Sequence, residues 1–308
     1  MRIVAIGECM VELREDGPAR FARGFAGDAY NTAVYLKRGA PDAEVEFLTA
    51  TGEGSLSREM RAAWAAEGVS DALAFAAPGL EPGLYMIELD AHGERSFHYW
   101  RSASAARRWL ALLDGAGGAD RLDGADLVYL SGVSLAILPE ADRARAVGLL
   151  RSLKRRVGRI AFDLNVRPGL WAGLNEARNA LAPVIGLADI VRASRDDAEA
   201  LFGAAGSAAQ IQALVAAGAR ELVLTLDEDG CLVLADGEVT ALEPPGEVQV
   251  VDTTGAGDCF NGAYLARRLL GDAPVAAAQD ALQVAARKVA WPGAIAPAGV
   301  THPRKAAP

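Results

Sequence analysis

A glycine-rich segment near the C-terminus combines groups that could transfer a phosphoryl group. The segment runs Val250-Val-Asp-Thr-Thr-Gly-Ala-Gly-Asp258, and small or apolar residues recur at helical spacing from Cys259 to Leu270. This pattern places residues 255–258 on the first turn of a buried helix, where backbone N–H groups are free to bind an anion. The carboxylate of Asp258 could take a proton from a hydroxyl that attacks a bound phosphoryl group. The candidate anion hole consists of Gly255, Ala256 and Gly257.

The same segment also has a purely structural interpretation. Thr254 and Asp258 are both suitable helix-capping residues, and the two glycines suit a tight turn. Taken alone, the segment leaves an anion site and a capped helix as open alternatives.

The composition restricts the classes of protein to which the chain can belong. Its 308 residues are 51% hydrophobic and 23% charged, which is typical of a globular protein. The formal charge of -9 disfavours nucleic acid as a partner. No apolar run is long enough to span a membrane, and charged residues interrupt the N-terminus where a signal peptide would be apolar. The sequence therefore predicts a cytoplasmic protein with neither a nucleic-acid nor a membrane partner.

Several common sites are absent from the sequence. There is no GxxxxGK[ST] phosphate loop, no complete GxGxxG after a strand and no GxSxG motif. The three cysteines, at positions 9, 231 and 259, show neither metal spacing nor a disulfide framework, which predicts free thiols among apolar neighbours.

Short apolar runs alternate with helical patterns along the chain, and this alternation predicts an α/β fold. A mainly parallel sheet would be covered by helices on both faces, with no boundary dividing the chain. The predicted strands are Ile3–Ile6, Leu127–Leu130, Ile160–Phe162, Ile190–Val191 and Leu222–Leu226. The predicted helices include Arg58–Glu67, Glu140–Arg155 and Asp196–Phe202, the last capped by Ser194 and ended by Gly203. The stretch after Pro297 is expected to trail over the surface.

One region departs from this alternation. Leu84–Asp90 and Arg95–Arg101 are extended aromatic runs joined by Ala-His-Gly-Glu, which predicts a hairpin outside the main sheet. One face of its second strand carries Phe97, Tyr99 and Arg101, and the other carries His98 and Trp100. We expect the first face to cover a ligand and the second to meet a partner. A hairpin packed only on its own core remains the alternative.

Three segments together resemble the ribokinase-like (PfkB) family of carbohydrate kinases. They are DTTGAGDCFNGAYLA, Gly27-Asp-Ala-Tyr-Asn31 and Asp163-Leu-Asn-Val-Arg-Pro168, and the resemblance extends over nearly the whole chain. It implies a ribokinase-like three-layer α/β/α sandwich, with a mainly parallel central sheet and a small β-sheet lid.

The resemblance also implies how the chain is divided and how it assembles. Residues 1–308 would form a single kinase domain, with a discontinuous lid from about residues 10–25 and 83–102. In the family such a lid pairs with that of a second subunit, which implies a homo-oligomer formed through the hairpin.

In the family, the aspartate of the GAGD motif is the catalytic base, here Asp258, and the residues before it form the anion hole. The glycine-rich segment Gly27, Asp28 and Asn31 would contact the sugar. Asp28 is also a suitable N-cap for a helix over Ala29–Lys37, so a capping role is the alternative for this residue.

A more specific resemblance within the family concerns the acceptor. The segments IGECMVEL, GFAGDAYNTAVYL, PGLYMIELDAHGERSFHYWR, YLSGVSLAIL and FDLNVRPGLW resemble the members that phosphorylate the terminal hydroxyl of 2-keto-3-deoxygluconate. This resemblance assigns Tyr85, Tyr99, Arg101 and Arg167 to the substrate, together with Asp258. Arginine suits a sugar acid because its guanidinium binds a carboxylate through two hydrogen bonds, although a surface ion pair is the alternative for each arginine.

The resemblance implies ATP as co-substrate and Mg²⁺ as a bound cation, and members of the family often bind K⁺ as well. Thr225 and Gly230 match the nucleotide segment, although Asp227 stands where the family has its first glycine. Asp197 would contact Mg²⁺ through water, and Asp252 lies where a monovalent cation is often bound. The nucleotide-binding set is Asn165, Ser194, Thr225, Gly230, Gly255 and Gly257.

The sequence is compatible with two other functions. One is a kinase of the same family for a neutral sugar such as fructose or ribose, or for a nucleoside. The other is a non-catalytic sugar-binding regulator on the same fold. Arg101 and Arg167 argue against the neutral acceptor, and Asp258 argues against the regulator. The preferred epimer of the sugar acid, the preferred nucleotide and the number of subunits are not determined by the sequence.

Overall fold

The structure is a computed structural model, and it describes residues 1–17, 20–89, 95–203, 206–246 and 248–301. Within these ranges, the strands form a ten-stranded sheet and a separate four-stranded sheet. The strands are β1 (Arg2–Ile6), β2 (Met10–Glu15), β3 (Phe21–Ala26), β4 (Glu44–Thr51), β5 (Val69–Ser70), β6 (Ala74–Ala76), β7 (Leu84–Leu89), β8 (Arg95–Trp100), β9 (Leu127–Ser131), β10 (Arg159–Asp163), β11 (Ile190–Ser194), β12 (Glu221–Thr225), β13 (Cys231–Ala235) and β14 (Glu238–Leu242).

The large sheet has the strand order β14-β13-β12-β11-β10-β9-β1-β4-β5, and β6 pairs with β4. Neighbouring strands are parallel except at one edge, where β12, β13 and β14 are antiparallel. From β1 the chain crosses to β4 on one side and later adds β9 to β12 on the other side. The carboxyl ends of β1 and β9 therefore flank a crevice of the kind in which open α/β sheets bind ligands.

The helices occupy both faces of the large sheet, as the sequence predicts. The helices are α1 (Asp28–Gly39), α2 (Ser55–Ala66), α3 (Trp109–Gly115), α4 (Gly132–Ala136), α5 (Glu140–Leu153), α6 (Leu174–Leu187), α7 (Arg195–Phe202), α8 (Ser207–Ala216), α9 (Ala256–Leu269), α10 (Pro274–Val289) and α11 (Ala298–Thr301). The predicted cap of α7 is confirmed, because Ser194 accepts a hydrogen bond from the Asp197 backbone N–H and Gly203 ends the helix in a left-handed conformation.

Successive side chains of the central strands point to opposite faces of the large sheet, where they pack into two hydrophobic cores. Val4 and Ile6 of β1 pack into the core beneath α5 to α8, whereas Ile3 and Ala5 pack into the core beneath α1, α2, α9 and α10. A strand that is buried on both faces has no polar face, which explains why these strands are recognisable as short apolar runs.

All five predicted strands are confirmed as β1, β9, β10, β11 and β12. β11 extends three residues beyond the predicted Ile190–Val191, because Arg192 interrupts the apolar run without ending the strand. β4, β13 and β14 were not among the predicted strands, since β4 includes buried polar residues such as Glu46 and the other two form an antiparallel edge.

The four-stranded sheet, hereafter the small sheet, has the order β3-β2-β7-β8. β7 and β8 pair antiparallel, so the predicted hairpin outside the main sheet is confirmed, although its Ala-His-Gly-Glu turn lies outside the described residues. Tyr99 and Trp100 lie on opposite faces of β8 and are half exposed or more, at 50% and 58%.

Two local predictions are wrong. The stretch after Pro297 does not simply trail over the surface, because α11 follows it and Thr301 is fully buried. Asp28 is not the N-cap of α1, because Gly27 holds that position and Asp28 makes no capping hydrogen bond. Residues 302–308 lie outside the described residues.

The three cysteines are free and buried, as predicted. Over the described parts of the chain, no helix is both long enough and apolar enough to cross a membrane.

Candidate active site

The glycine-rich segment opens α9 as the sequence predicts. Gly255 is the N-cap residue with φ of 73°, a left-handed conformation that favours glycine. Among the backbone hydrogen bonds of the described residues, the N–H groups of Gly255 and Gly257 have no acceptor, but that of Ala256 donates to the Thr253 carbonyl at 3.0 Å. The amides of Gly255 and Gly257 are therefore available to an anion, whereas the Ala256 amide, also predicted for the anion hole, is engaged by the chain itself.

Asp258 lies on the first turn of α9 and faces α1. Its Oδ2 accepts a hydrogen bond from Asn31 Nδ2 at 2.8 Å, and neither Asp258 nor Thr254 makes a side-chain capping bond. The two helices can approach this closely because Gly262 has no side chain: a Cβ there would lie 2.6 Å from the Thr32 carbonyl oxygen. The capping alternative for Asp258 is therefore wrong.

The surroundings of Asp258 bring its pKa into the range that suits a general base. Burial, together with the negative charges of Asp28 and Asp163, raises the pKa of Asp258 from 3.8 to about 7, although the Asn31 bond and the positive charge of Arg167 oppose the shift. A carboxyl group with this pKa exchanges a proton readily near neutral pH.

Arg192 is a functional candidate that the sequence analysis did not identify. Its guanidinium lies against the first turn of α9, where a Cβ on Gly257 would be only 2.9 Å from Nη2. It also donates to Thr225 Oγ1 at 2.8 Å and pairs with Asp163 at 3.2 Å. A positive charge beside free helix-terminal amides strengthens an anion site. The signal was a lone arginine within the apolar strand β11.

Asp163 lies at the carboxyl end of β10 and is 1% exposed. Burial raises its pKa to about 6, although the neighbouring Arg192 opposes this. Asn261 of α9 donates to Asp163 Oδ2 at 2.9 Å. The carboxylate thus connects α9 to β11, which holds the guanidinium beside the helix terminus.

The crevice between β1 and β9 is lined by polar residues from distant parts of the chain. Asp28 accepts hydrogen bonds from Ser131 Oγ at 2.5 Å and from Asn165 Nδ2 at 2.6 Å. These bonds explain why Asp28 does not cap its own helix. They also place Asn165 with the residues predicted for the sugar, rather than with those predicted for the nucleotide.

Gly27 allows the start of α1 to lie against the segment after β1. A Cβ on Gly27 would be 2.1 Å from the carbonyl oxygen of Glu8, a separation that no side chain permits. The Gly27 N–H also donates to Asn31 Oδ1 at 3.3 Å, so both ends of the Asn31 amide are used. Gly27 thereby sets the position of the crevice wall.

The small sheet brings three of the four predicted substrate residues towards this crevice. Arg101 forms an ion pair with Glu8, which is 1% exposed, and the Tyr85 hydroxyl donates to Glu12. Sequence analysis did not identify these carboxylates as partners. The charge of Arg101 is neutralised by Glu8, and the phenol of Tyr85 is 6% exposed, so both residues support the wall of the crevice.

Tyr99 and Arg167 remain available to a ligand. Burial raises the pKa of Tyr99, whereas the nearby positive charges of Arg167 and Arg101 lower it. Arg167 is exposed, and its guanidinium donates to the Val166 carbonyl at 3.2 Å. Among the described residues no carboxylate lies within 4.0 Å of Arg167, so its charge is not neutralised by an ion pair.

Two of the residues predicted for the nucleotide, Ser194 and Thr225, lie at the carboxyl ends of β11 and β12. Thr225 accepts the bond from Arg192, and Ser194 caps α7. At Gly230 a Cβ would lie 2.1 Å from the Leu242 carbonyl oxygen, so glycine is required for the turn into β13. Asp227 has φ of 55° and is exposed.

Asp197 and Asp252, the two predicted cation contacts, both have their carboxylates engaged by protein donors. Asp197 accepts from the Val166 N–H at 2.6 Å and from Ser194 Oγ at 2.7 Å. Asp252 accepts from the Thr254 N–H at 2.7 Å and from the Gly293 N–H at 2.6 Å. Across the described residues, no group of three or more His, Cys, Asp or Glu could hold a metal ion.

The fold and this site define a class of phosphotransferase, and comparison with known proteins agrees. A model described as pfkB family carbohydrate kinase matches residues 1–299. The chain belongs to the pfkB family of carbohydrate kinases, and the resemblance identified from its sequence is confirmed.

Individual relatives are similar along nearly their full length. The chain is 42% identical to a 2-dehydro-3-deoxygluconokinase of Dickeya dadantii, covering 96% of each chain. It is 40% identical to a protein of the same name from Escherichia coli K12, covering 96% of this chain and 97% of that one. Among solved structures, an aminoimidazole riboside kinase from Salmonella enterica superposes with a TM-score of 0.82 at 23% identity, covering 96% of this chain and 95% of that one. The predicted ribokinase-like fold is thereby confirmed.

Proposed function

We propose that the chain is an ATP-dependent kinase that phosphorylates the terminal hydroxyl of 2-keto-3-deoxygluconate, giving 2-keto-3-deoxy-6-phosphogluconate. One observation carries this proposal: Arg167 and Asp258 belong to the same site. Arg167 is a cation without an ion-pair partner among the described residues, and its positive charge is near enough to Asp258 to lower the pKa of that carboxyl group. A sugar acid offers a carboxylate for the first group and a hydroxyl for the second. Similarity over 96% of the chain to proteins named 2-dehydro-3-deoxygluconokinase, a synonym for kinases of this sugar acid, supports the same acceptor.

In the proposed complex the acceptor spans the crevice. Its carboxylate is held by the Arg167 guanidinium and the Tyr99 phenol, and its inner hydroxyls meet Asp28 and Asn31. Arg101 acts mainly as part of the wall, because Glu8 already neutralises its charge. The far hydroxyl then lies against Asp258, whose side chain is oriented by Asn31.

The proposed reaction is direct transfer to that hydroxyl. Asp258 accepts the hydroxyl proton while a bond forms from the hydroxyl oxygen to the γ-phosphorus, and the bond from that phosphorus to the β,γ-bridging oxygen breaks to release ADP. The Gly255 and Gly257 amides and the Arg192 guanidinium stabilise the negative charge on the transferred group. Because these donors are already in position, little reorganisation is needed during the reaction.

Magnesium, when bound with the nucleotide, neutralises charge on the β- and γ-phosphates. The residues present fit a weakly held metal, because both oxygens of Asp197 already accept protein hydrogen bonds. Phosphate oxygens and water would supply most of the ligands, and Asp197 would contact the ion only through water. Such a site is typical of magnesium, which gives up its water ligands reluctantly.

The proposed acceptor can be tested with a panel of sugars and sugar acids. We expect kcat/KM for 2-keto-3-deoxygluconate to exceed that for fructose, ribose and a nucleoside by roughly two orders of magnitude or more, since a charge-assisted contact is lost with each neutral compound. ADP release, measured with a coupled assay, gives the comparison. A preference for a neutral acceptor would contradict the proposal, and ATP binding without turnover of any acceptor would favour a regulator.

We also propose that the face of β8 carrying His98 and Trp100 meets the small sheet of a second copy. Trp100 is 58% exposed, and Tyr99 on the opposite face is directed to the crevice. Replacing Trp100 with glutamate should lower the mass in solution, because a charge would be buried at the interface. Sedimentation velocity measures the mass.

Val239→Glu is the matched control for this experiment. Val239 is 49% exposed but lies on β14, at the far edge of the large sheet, so its variant should keep the parent mass. An unchanged mass for Trp100→Glu, or an equal decrease in both variants, would contradict assembly through the small sheet.

A further inference from the structure

Lys288 is a fully buried lysine in the last turn of α10. Its side chain is 0% exposed, and its ammonium donates a hydrogen bond to the backbone carbonyl oxygen of Asp252 at 2.8 Å. Burying a charge is costly unless oxygen atoms replace the lost water. A fully buried lysine is therefore rare in proteins unless its ammonium has a partner.

The loop that Lys288 contacts leads directly into the candidate anion hole. The N–H groups of Val251 and Asp252 both donate to the Val289 carbonyl, at 2.8 and 2.9 Å. Three residues after Asp252 the chain reaches Gly255, which contacts Ala294: a Cβ on Gly255 would lie 2.7 Å from the Ala294 carbonyl oxygen. The end of α10 and the segment after it thus determine where α9 begins.

The charges around this loop favour a cation at this point. The carboxyl end of α10 carries the negative end of the helix dipole, and the Asp252 carboxylate lies beside it. Burial opposes ionisation of Asp252, but hydrogen bonds from the Thr254 and Gly293 amides, together with the positive charge of Lys288, hold its pKa below the ordinary value. The loop is therefore an anionic environment that requires a positive charge.

The family resemblance implies a monovalent cation near Asp252, and the residues present do not fit one. A K⁺ ion needs several oxygen ligands, yet the Asp252 carbonyl accepts from Lys288 and both carboxylate oxygens accept from backbone amides. The buried ammonium would also repel a second cation, because water is excluded and screening is weak.

We infer that the Lys288 ammonium takes the place of the monovalent cation, so that phosphoryl transfer by this chain does not depend on K⁺. Lys288 is a positioning residue: it holds the loop before Gly255, and through that loop the first turn of α9. The inference uses the proposed kinase activity as one readout, but nucleotide binding tests it without any acceptor.

The first experiment compares the parent chain in potassium, ammonium and tetramethylammonium chloride at equal ionic strength, the last being too large to enter the loop. We expect kcat/KM and the affinity for ADP, measured by calorimetry, to agree within about twofold among the three salts. Activation of the parent by K⁺ of roughly fivefold or more, or ADP binding that requires K⁺, would overturn the inference.

The second experiment uses Lys288→Ala, with Lys288→Met as its matched control. Alanine opens a space beside the Asp252 carbonyl, so turnover in tetramethylammonium should fall by roughly tenfold or more and recover in K⁺ or ammonium. Methionine fills that space without a charge, so it should be impaired and show no recovery. Full activity of Lys288→Ala without a small cation would overturn the inference, as would equal loss in both variants with no recovery in any salt.

If neither of these variants folds, Lys288→Arg provides the test. It keeps the charge, so its ADP binding should stay independent of K⁺, and dependence on K⁺ would count against the inference. If the proposed acceptor is wrong, 2-keto-3-deoxygluconate will not be turned over, but ADP binding will still be independent of the cation. This outcome distinguishes an error in the acceptor from an error in the role of Lys288.

Discussion

Asp258→Asn is expected to lower kcat by roughly 10²- to 10⁴-fold while leaving the affinity for ADP close to that of the parent. Asparagine keeps the size of the side chain and can still accept the hydrogen bond from Asn31 Nδ2, but it cannot take the hydroxyl proton. Single-turnover phosphoryl transfer and calorimetric ADP binding give the two measurements. Turnover within about tenfold of the parent would remove Asp258 from the role of base.

The pH dependence provides a control for this assignment. The pKa of Asp258 is raised to about 7, so the carboxyl is protonated and inactive as a base below that pH. In the parent, kcat/KM should therefore rise with pH through about 7, and the residual activity of Asp258→Asn should lack this limb.

Thermal unfolding distinguishes a lost base from a damaged fold. Because the folded-state pKa of Asp258 is about 7 and the ordinary value is 3.8, the folded chain loses stability as the pH rises between these two values, and the loss is complete above the higher one. At pH 8 the Asp258→Asn variant should therefore melt at the same temperature as the parent or higher. A lower melting temperature would show that the asparagine disturbs packing.

Arg167→Leu is expected to reduce kcat/KM for 2-keto-3-deoxygluconate by roughly ten- to a hundredfold, while leaving the much lower value for fructose nearly unchanged. The loss corresponds to about 1.5 to 3 kcal/mol for a charge-assisted hydrogen bond to the acceptor carboxylate. Arg167 can be replaced without breaking an ion pair among the described residues, so the effect should be on the acceptor and not on folding.

Arg155→Leu is the control for loss of surface charge. Arg155 is exposed between α5 and β10, at the edge of the sheet opposite the carboxyl ends of the strands, so its variant should match the parent with both acceptors. An equal loss of both activities in Arg167→Leu would contradict a carboxylate contact. The neutral-sugar alternative would then have to be reconsidered.

Much of the fold could be predicted because it depends on neighbouring residues. The buried strands are contiguous apolar runs, and the hairpin of β7 and β8 is visible as alternating aromatic residues around a polar turn. The edge strands β13 and β14 were not predicted, since their burial depends on how the sheet ends and not on their own composition.

The candidate site also has features that could be predicted from the sequence and features that could not. The sequence alone determined the position of Asp258 on the first turn of α9, because a helix start depends on a few consecutive residues. Whether each polar side chain is available to a ligand was decided only by the tertiary structure. Glu8 neutralises the charge of Arg101, which lies 93 positions away in the sequence. Asp28 does not cap α1 but accepts hydrogen bonds from Ser131 and Asn165, which lie 103 and 137 positions away.

The same distinction holds for the electrostatics. Nothing in the order of residues indicates that Arg192 lies against Gly257, or that Lys288 donates to the Asp252 carbonyl. Desolvation and Coulomb interactions depend on distance in space, and the pKa of Asp258 near 7 results from burial and from charges brought together by folding. The glycine-rich segment and the helix that it opens therefore follow from the sequence alone, whereas the protonation, pairing and availability of the surrounding charges depend on the folded chain.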